Sequence, residues 1–198
     1  MDDTAGVKLR PSIAVLLFVL GGAAGLIGDH SHVVTGTTEY LQPSRIIPFI
    51  WSSPLYFPIL VGSATVFLAE LRLLLPAPRS TVTVRQGVAG LAAVLGSYVV
   101  TAMLHTAPVV PLTTLICAFA VLTYCALGDR PAILCGAVIA IIGPAVEVGI
   151  AAAGHFRYAP GSDGLFGVAP WLVPLYFAFG VVAALFGEIA ASARQPAE

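Results

Sequence analysis

Six apolar runs, each close to twenty residues and nearly free of charge, follow one another along the chain. They lie near 11–28, 49–71, 86–105, 108–127, 131–152 and 168–190. A helix of roughly 20 such residues, rising about 1.5 Å each, crosses a hydrocarbon core about 30 Å thick. The runs therefore predict an all-α, polytopic membrane protein with six transmembrane helices. Composition agrees: 58% of the residues are hydrophobic and only 10% are charged, against about 25% in soluble domains. Too few charges remain to cover a water-facing surface. Six spans and their links use up residues 1–198, which read as one membrane domain.

The links set the topology. Pro108 and Pro111 restart the chain just after the third run, which predicts an antiparallel helical hairpin. Asp129-Arg130-Pro131 makes a similarly tight turn between the fourth and fifth. Lys and Arg concentrate in loops on the cytoplasmic side of membrane proteins. With the N-terminus inside, that side holds Lys8, Arg10, Arg72, Arg79, Arg85, Arg130 and Arg194, seven in all, and the outside only Arg45 and Arg157. Both termini are thus expected in the cytoplasm. Nine basic against ten acidic residues give no footprint for nucleic acid. Eight arginines to one lysine, with much Ala, Val, Leu and Gly, suggest a GC-rich bacterial genome, hence a multi-pass protein of the bacterial inner membrane.

Trp51-Ser-Ser-Pro54-Leu-Tyr56-Phe57 recurs as Trp171-Leu-Val-Pro174-Leu-Tyr176-Phe177, and these are the only two tryptophans. Trp and Tyr favour the membrane–water interface, and Pro is tolerated in a first helical turn. The repeat predicts two parallel helices entering from the outer face.

Glu147 is the most suggestive ionisable residue. It lies roughly 24 Å along the fifth run from Pro131, and a carboxyl group at such depth usually faces the bundle interior or a wet cavity. Gly143, Pro144 and Gly149 around it predict a kink, because Pro144 leaves the carbonyl of Ala140 unpaired. One reading makes Glu147 a polar anchor for a ligand hydroxyl; the plainer one hydrogen-bonds it to a neighbouring helix. Glu70 and Glu188, near the cytoplasmic ends of their runs, are expected to be solvated. Asp29, His30, His32, Glu39 and His155 have donor types that bind zinc, but His-x-His without convergent ligands is weak. They read as polar residues at a helix end, so no metal or cofactor is expected. No catalytic or nucleotide-binding signature is present, and Ser63 and Ser97 lack an evident base, so no enzyme is expected.

Gly21-x-x-x-Gly25, Ala93-x-x-x-Ser97 and Gly180-x-x-x-Ala184 fit the small-residue pattern of close helix packing. The third run, with Gly87, Gly90 and Ser97, is the expected contact of a homo-oligomer. Cys117, Cys125 and Cys135 form no Cys-x-x-Cys pair and are expected to be buried apolar side chains.

Asp129-Arg130 after the fourth run, Gly154-His-Phe-Arg-Tyr158, Trp171-Leu172 leading into Phe177-Ala-Phe-Gly180, and Trp51-Ser52-Ser53 together resemble the insulin-induced gene protein family, the Insigs. The sequence departs from the animal pattern in its short N-terminus and in the neutral Tyr40-Leu-Gln-Pro43 before the second run. The resemblance implies six spans, no catalysis, and a sterol- or diacylglycerol-like membrane lipid held in an intramembrane cavity. Pro144, Glu147, Tyr176, Phe177 and Gly180, with Tyr56 and Phe57, are the residues expected to hold it. Asp129, matching the family's turn aspartate, is expected to act as a conformational or contact residue. The rival reading is a small secondary transporter coupled to protons through Glu147. The repeat relates the second and sixth runs, the wrong offset for two related halves.

Overall fold

The structure, a computed structural model, describes residues 8–76 and 78–193. Six helices carry the fold: α1 (Pro11–Thr35), α2 (Tyr56–Leu74), α3 (Val84–Met103), α4 (Val109–Leu127), α5 (Arg130–Ala152) and α6 (Leu172–Ser192). Each is long and apolar enough to cross a membrane. The chain is an all-α polytopic membrane protein. Local signals mark the helix starts. Thr83 and Gln86 close a reciprocal capping box on α3, and Asp129 caps α5 by accepting from the Ala132 amide at 2.9 Å.

Two boundaries differ from expectation. α1 runs seven residues past position 28 and ends at Gly36, whose φ of 78° closes the helix. Asp29 and His32 therefore lie inside a helix, both buried, because they turn toward the bundle interior. α2 begins at Tyr56 rather than at Trp51. Residues 49–54 instead form a tight hairpin of β2 (Phe49–Ile50) and β3 (Ser53–Pro54) after β1 (Thr38–Tyr40). Trp51 sits at its tip with a left-handed φ of 61°. Pro54 thus belongs to a strand, whereas Pro174 does occupy the first turn of α6.

The second strand pair joins β1 antiparallel to β4 (Phe156–Tyr158), matching Thr38 with Tyr158, Glu39 with Arg157 and Tyr40 with Phe156. Strand alternation turns Thr38, Tyr40, Phe156 and Tyr158 inward and leaves Glu39 and Arg157 outside. The helix ends sort into two layers. The start of α1 meets the end of α2, where the Leu9 amide donates to Glu70 at 2.9 Å. The end of α6 joins them through Glu188 and Arg72. This is the terminal end; the strands and the starts of α2 and α6 form the loop end.

α6 is the central helix, packed against α2, α3, α4 and α5, and the most buried of the six. Gly180 lets α5 approach it: a Cβ there would lie 2.6 Å from the Cys135 carbonyl oxygen and 2.7 Å from the Gly136 Cα. Gly87 and Gly90, expected at a contact between copies, are used inside the chain. Gly87 faces Phe186 and Ile189, and Gly90 faces Val182 and Leu127. Ser97 is buried too, donating to the Ala93 carbonyl at 2.8 Å. Cys135 is buried as expected, but Cys117 and Cys125 are exposed. The inward stripe of α4 runs through Leu112, Ile116, Ala120, Thr123 and Leu127, and helical period places both cysteines off it.

Candidate functional site

A cavity of about 240 Å³ lies between α1, α2, α3, α5 and α6. Along α6 its wall runs from Leu172 to Phe186, roughly 21 Å at helical rise. Toward the terminal end the lining is aliphatic and aromatic, with Leu91, Val94, Val182 and Phe186. Polar groups gather at the loop end around two buried carboxyl groups.

Asp29 on α1 accepts hydrogen bonds from the Tyr40 hydroxyl at 2.9 Å and the Ser53 hydroxyl at 2.5 Å, both at Oδ2. Glu147 on α5 accepts from Tyr158 at 2.8 Å through Oε2 and from Tyr176 at 2.6 Å through Oε1. Asp29 is 5% and Glu147 9% exposed. An unpaired buried carboxyl group would be costly, and each donor lowers that cost. Three of the four donors come from strands: β1 supplies Tyr40, β3 supplies Ser53, and β4 supplies Tyr158. Burial and then the neighbouring carboxyl group push the hydroxyls of Tyr40 and Tyr158 well above the usual tyrosine range, so both remain proton donors. Thr38, which also lines the cavity, holds a buried hydroxyl with no hydrogen-bond partner among the described residues.

Tyr56, Phe57, Glu147 and Tyr176 line this cavity as expected positions, but Pro144, Phe177 and Gly180 do not. Phe177 follows Tyr176 by one residue, about 100° round the helix, and packs instead on Gly136 and Tyr124. Gly180 is taken up by the backbone of α5. Pro144 is buried in α5 beside Gly143, which does reach the cavity, against the Tyr176 ring. Asp29, Thr38, Tyr40, Tyr98 and Tyr158 are wall residues that the sequence reading missed. For Asp29 a signal existed, since it continues the Gly21, Gly25 spacing by one further turn.

The expected zinc donors disperse. His32 meets the Thr101 hydroxyl at 2.9 Å and stacks on Trp171 at 5.3 Å between ring centroids. His30 stacks on Trp51 at 3.6 Å and meets the Ser52 hydroxyl at 2.7 Å. His155 Nδ1 lies 3.2 Å from the Ser44 hydroxyl. Among the described residues, no three His, Cys, Asp or Glu side chains gather as metal ligands. The two tryptophans also part company: Trp171 is 1% exposed and packs with His32 and Tyr158, whereas Trp51 is 62% exposed.

A second polar cluster closes the terminal end. Arg72, fully buried, donates to Asp129 Oδ2 and Glu188 Oε1, each at 2.6 Å. Arg79 reaches Glu188 Oε2 at 2.6 Å and the Leu127 carbonyl at 2.8 Å. Burial works against the charge on Arg79, but the hydrogen bond and charge of Glu188 outweigh it and raise its pKa. Glu188, expected to be solvated, is fully buried, because two arginines meet it inside the bundle. Glu70 is half-buried at the Leu9 amide. Asp129 uses Oδ1 to cap α5 and Oδ2 to hold Arg72, so its contacts are within the chain.

No family model matches the chain. A curated relative described as an INSIG protein homolog, from Mycolicibacterium vanbaalenii, is 63% identical over 188 residues, spanning 95% of this chain and 91% of the relative. The crystal structure of a mycobacterial Insig homolog, MvINS from Mycobacterium vanbaalenii, superposes with a TM-score of 0.94 at 62% identity. It covers 96% of this chain and all of that one. A second crystal structure, a cross-linked trimer of an arginine-to-cysteine variant of MvINS, gives the same TM-score at 61% identity, with the same coverage.

Proposed function

This chain is a bacterial member of the Insig family, and from that premise we propose that it is a non-enzymatic lipid-binding protein. The ligand is a neutral amphiphile of sterol or diacylglycerol type, and its occupancy acts as a signal. The carrying observation is the polarity gradient of the cavity. Its loop end holds Asp29, Glu147 and their tyrosines, while the rest of the wall is apolar over most of a membrane leaflet. Such a wall suits a ligand with one hydroxyl-bearing head and a greasy body. The head exchanges hydrogen bonds with Glu147, Tyr176 and Asp29; the body lies against Phe57, Val94, Val182 and Phe186. Insig membership favours this reading over proton-coupled transport through Glu147.

We further propose that the chain self-associates in the bacterial inner membrane with both termini in the cytoplasm. The trimer of MvINS supports association, and the excess of Lys and Arg at the terminal end supports the orientation. Gly87, Gly90 and Ser97 are spent on internal packing, so the contact between copies uses other residues. Mass spectrometry of lipids co-purified with the wild type and with Glu147→Leu tests the central reading. One neutral lipid per wild-type chain and its loss from the variant are expected. Recovery of no stoichiometric lipid from the wild type would overturn it.

A further inference from the structure

The link between α1 and α2 shows apolar side chains to the outside of the bundle. After β1, Gln42–Ile46 forms a short 3-10 helix and residues 49–54 form the β2–β3 hairpin. Ile46 on the first is 87% exposed, and Ile50 and Trp51 on the second are 45% and 62% exposed. Both flanking helices are long and apolar enough to cross a membrane, which holds their link at the loop-end boundary of the bilayer. Clustered apolar side chains on a surface mark a contact with something else, and at this boundary tryptophan favours the headgroup layer.

The same link walls a second opening, of about 600 Å³, beside β1. It is distinct from the intramembrane cavity, with which it shares only Thr38 and Tyr40. Charges of both signs line it, Glu39 and Arg45. Arg157 directs both of its hydrogen bonds to Glu39 Oε2, which leaves Oε1 open. Arg45 is exposed and pairs with no acid among the described residues. Phe49 adds an apolar side, and the Thr38 hydroxyl on the shared wall is buried without a partner among the described residues.

We propose that this opening seats the zwitterionic head of a phospholipid bearing a primary ammonium, phosphatidylethanolamine in class, drawn from the leaflet at the loop end. The Arg45 guanidinium donates to the phosphate, whose oxygens its planar fork matches. The ammonium, with three N–H donors and no acceptor, donates to Glu39 Oε1. The acyl chains lie along Ile46, Ile50 and Trp51. A phosphatidylglycerol head offers the phosphate but no cation for Glu39. A phosphatidylcholine head carries its cation without an N–H to donate. The site lies outside the cavity assigned to the neutral lipid and does not rest on that assignment.

The test is native mass spectrometry of the full chain released from nanodiscs that hold phosphatidylethanolamine, phosphatidylglycerol and phosphatidylcholine in equal amounts with identical acyl chains. The wild type is expected to retain phosphatidylethanolamine about tenfold over either other head, the worth of one charge-assisted hydrogen bond. Arg45→Gln is expected to lower that retention by about tenfold. Glu39→Ala is expected to keep phospholipid and erase the preference among heads. Neither residue lines the cavity and both are exposed, so both variants are expected to fold and to carry the neutral lipid, read by its own mass in the same spectra. Glycerophosphoethanolamine, the same head without chains, is expected not to displace the phospholipid in large excess. Equal retention of the three heads by the wild type, or undiminished retention by Arg45→Gln, overturns the headgroup site. Displacement by the chainless head overturns the membrane as its source. Absence of the neutral lipid from the wild type overturns the cavity reading and leaves the headgroup site standing.

Discussion

The two ends of the bundle bury the same kind of residue in opposite company. At the terminal end, Asp129 and Glu188 meet Arg72 and Arg79, two acids against two bases, with every pair drawn from different parts of the chain. At the loop end, Asp29 and Glu147 meet only hydroxyl groups. The first cluster is electrically complete and stitches the α2–α3 link, the α4–α5 turn and the end of α6 together. The second is held in place yet open in charge, and it borders a cavity. A buried acid with its own base belongs to the scaffold, while one left without a base faces something the chain does not provide.

That contrast is most exposed to failure at Arg72. Arg72→Ala removes the buried base shared by Asp129 and Glu188 and leaves Arg79 alone against both acids. Breaking a buried pair from one side costs about 3–5 kcal/mol, and thermal unfolding in detergent should report a loss of that size. An unchanged melting temperature would mean that the terminal cluster is not structural, and the comparison would collapse. Gly180→Leu is the next largest. Its side chain must enter the space between α6 and the Cys135–Gly136 backbone, and such overpacking costs about 1–3 kcal/mol. Lipid content per folded chain should stay unchanged, since Gly180 does not line the cavity.

Much of this scaffold was legible in the sequence. Hydropathy located all six helices, and Pro108 and Asp129-Arg130-Pro131 located their tight joints, because in a membrane the span length is set by the bilayer itself. Where an apolar run stopped at polar residues, the reading failed. Asp29 and His32 look like a helix end in one dimension, yet they continue α1 with their side chains turned inward. Glu188 looks like an interfacial acid until Arg79, 109 residues earlier, folds onto it. The site divided in the same way. Glu147 and Tyr176 were visible as polar or amphipathic residues within apolar runs. Tyr40 and Tyr158 were not, because a strand pair joining segments 118 residues apart delivers them. No local pattern encodes that pairing.

The loop end should behave in reverse. Glu147→Gln keeps the shape of the side chain but replaces one acceptor oxygen with an N–H donor. One of the two tyrosine hydroxyls must then turn from donating to accepting, and stability should change by only about 1 kcal/mol. Lipid retention should fall roughly tenfold, the cost of about one good hydrogen bond to the head, as read by lipid-to-protein ratio after purification. A large loss of stability without loss of lipid would make Glu147 a scaffold residue like Glu188.

The smallest effect sharpens what burial contributes. Glu39 and Arg157 form an ion pair at 2.7 Å at the loop end, but their side chains are 58% and 67% exposed. Exposed pairs are worth about 0.2–1 kcal/mol, so Arg157→Ala should lower stability by about 0.5 kcal/mol or less, near the limit of a thermal melt. The pair has a second position of interest, since it sits between the two inward pairs of the β1–β4 register, Thr38 with Tyr158 and Tyr40 with Phe156. Wild-type lipid content in Arg157→Ala shows that the backbone ladder alone aims those tyrosines. Reduced lipid with unchanged stability instead makes the surface pair a positioning device for the cavity. In that case a charge contact outside the bundle serves the open cluster, and burial alone no longer separates scaffold from site.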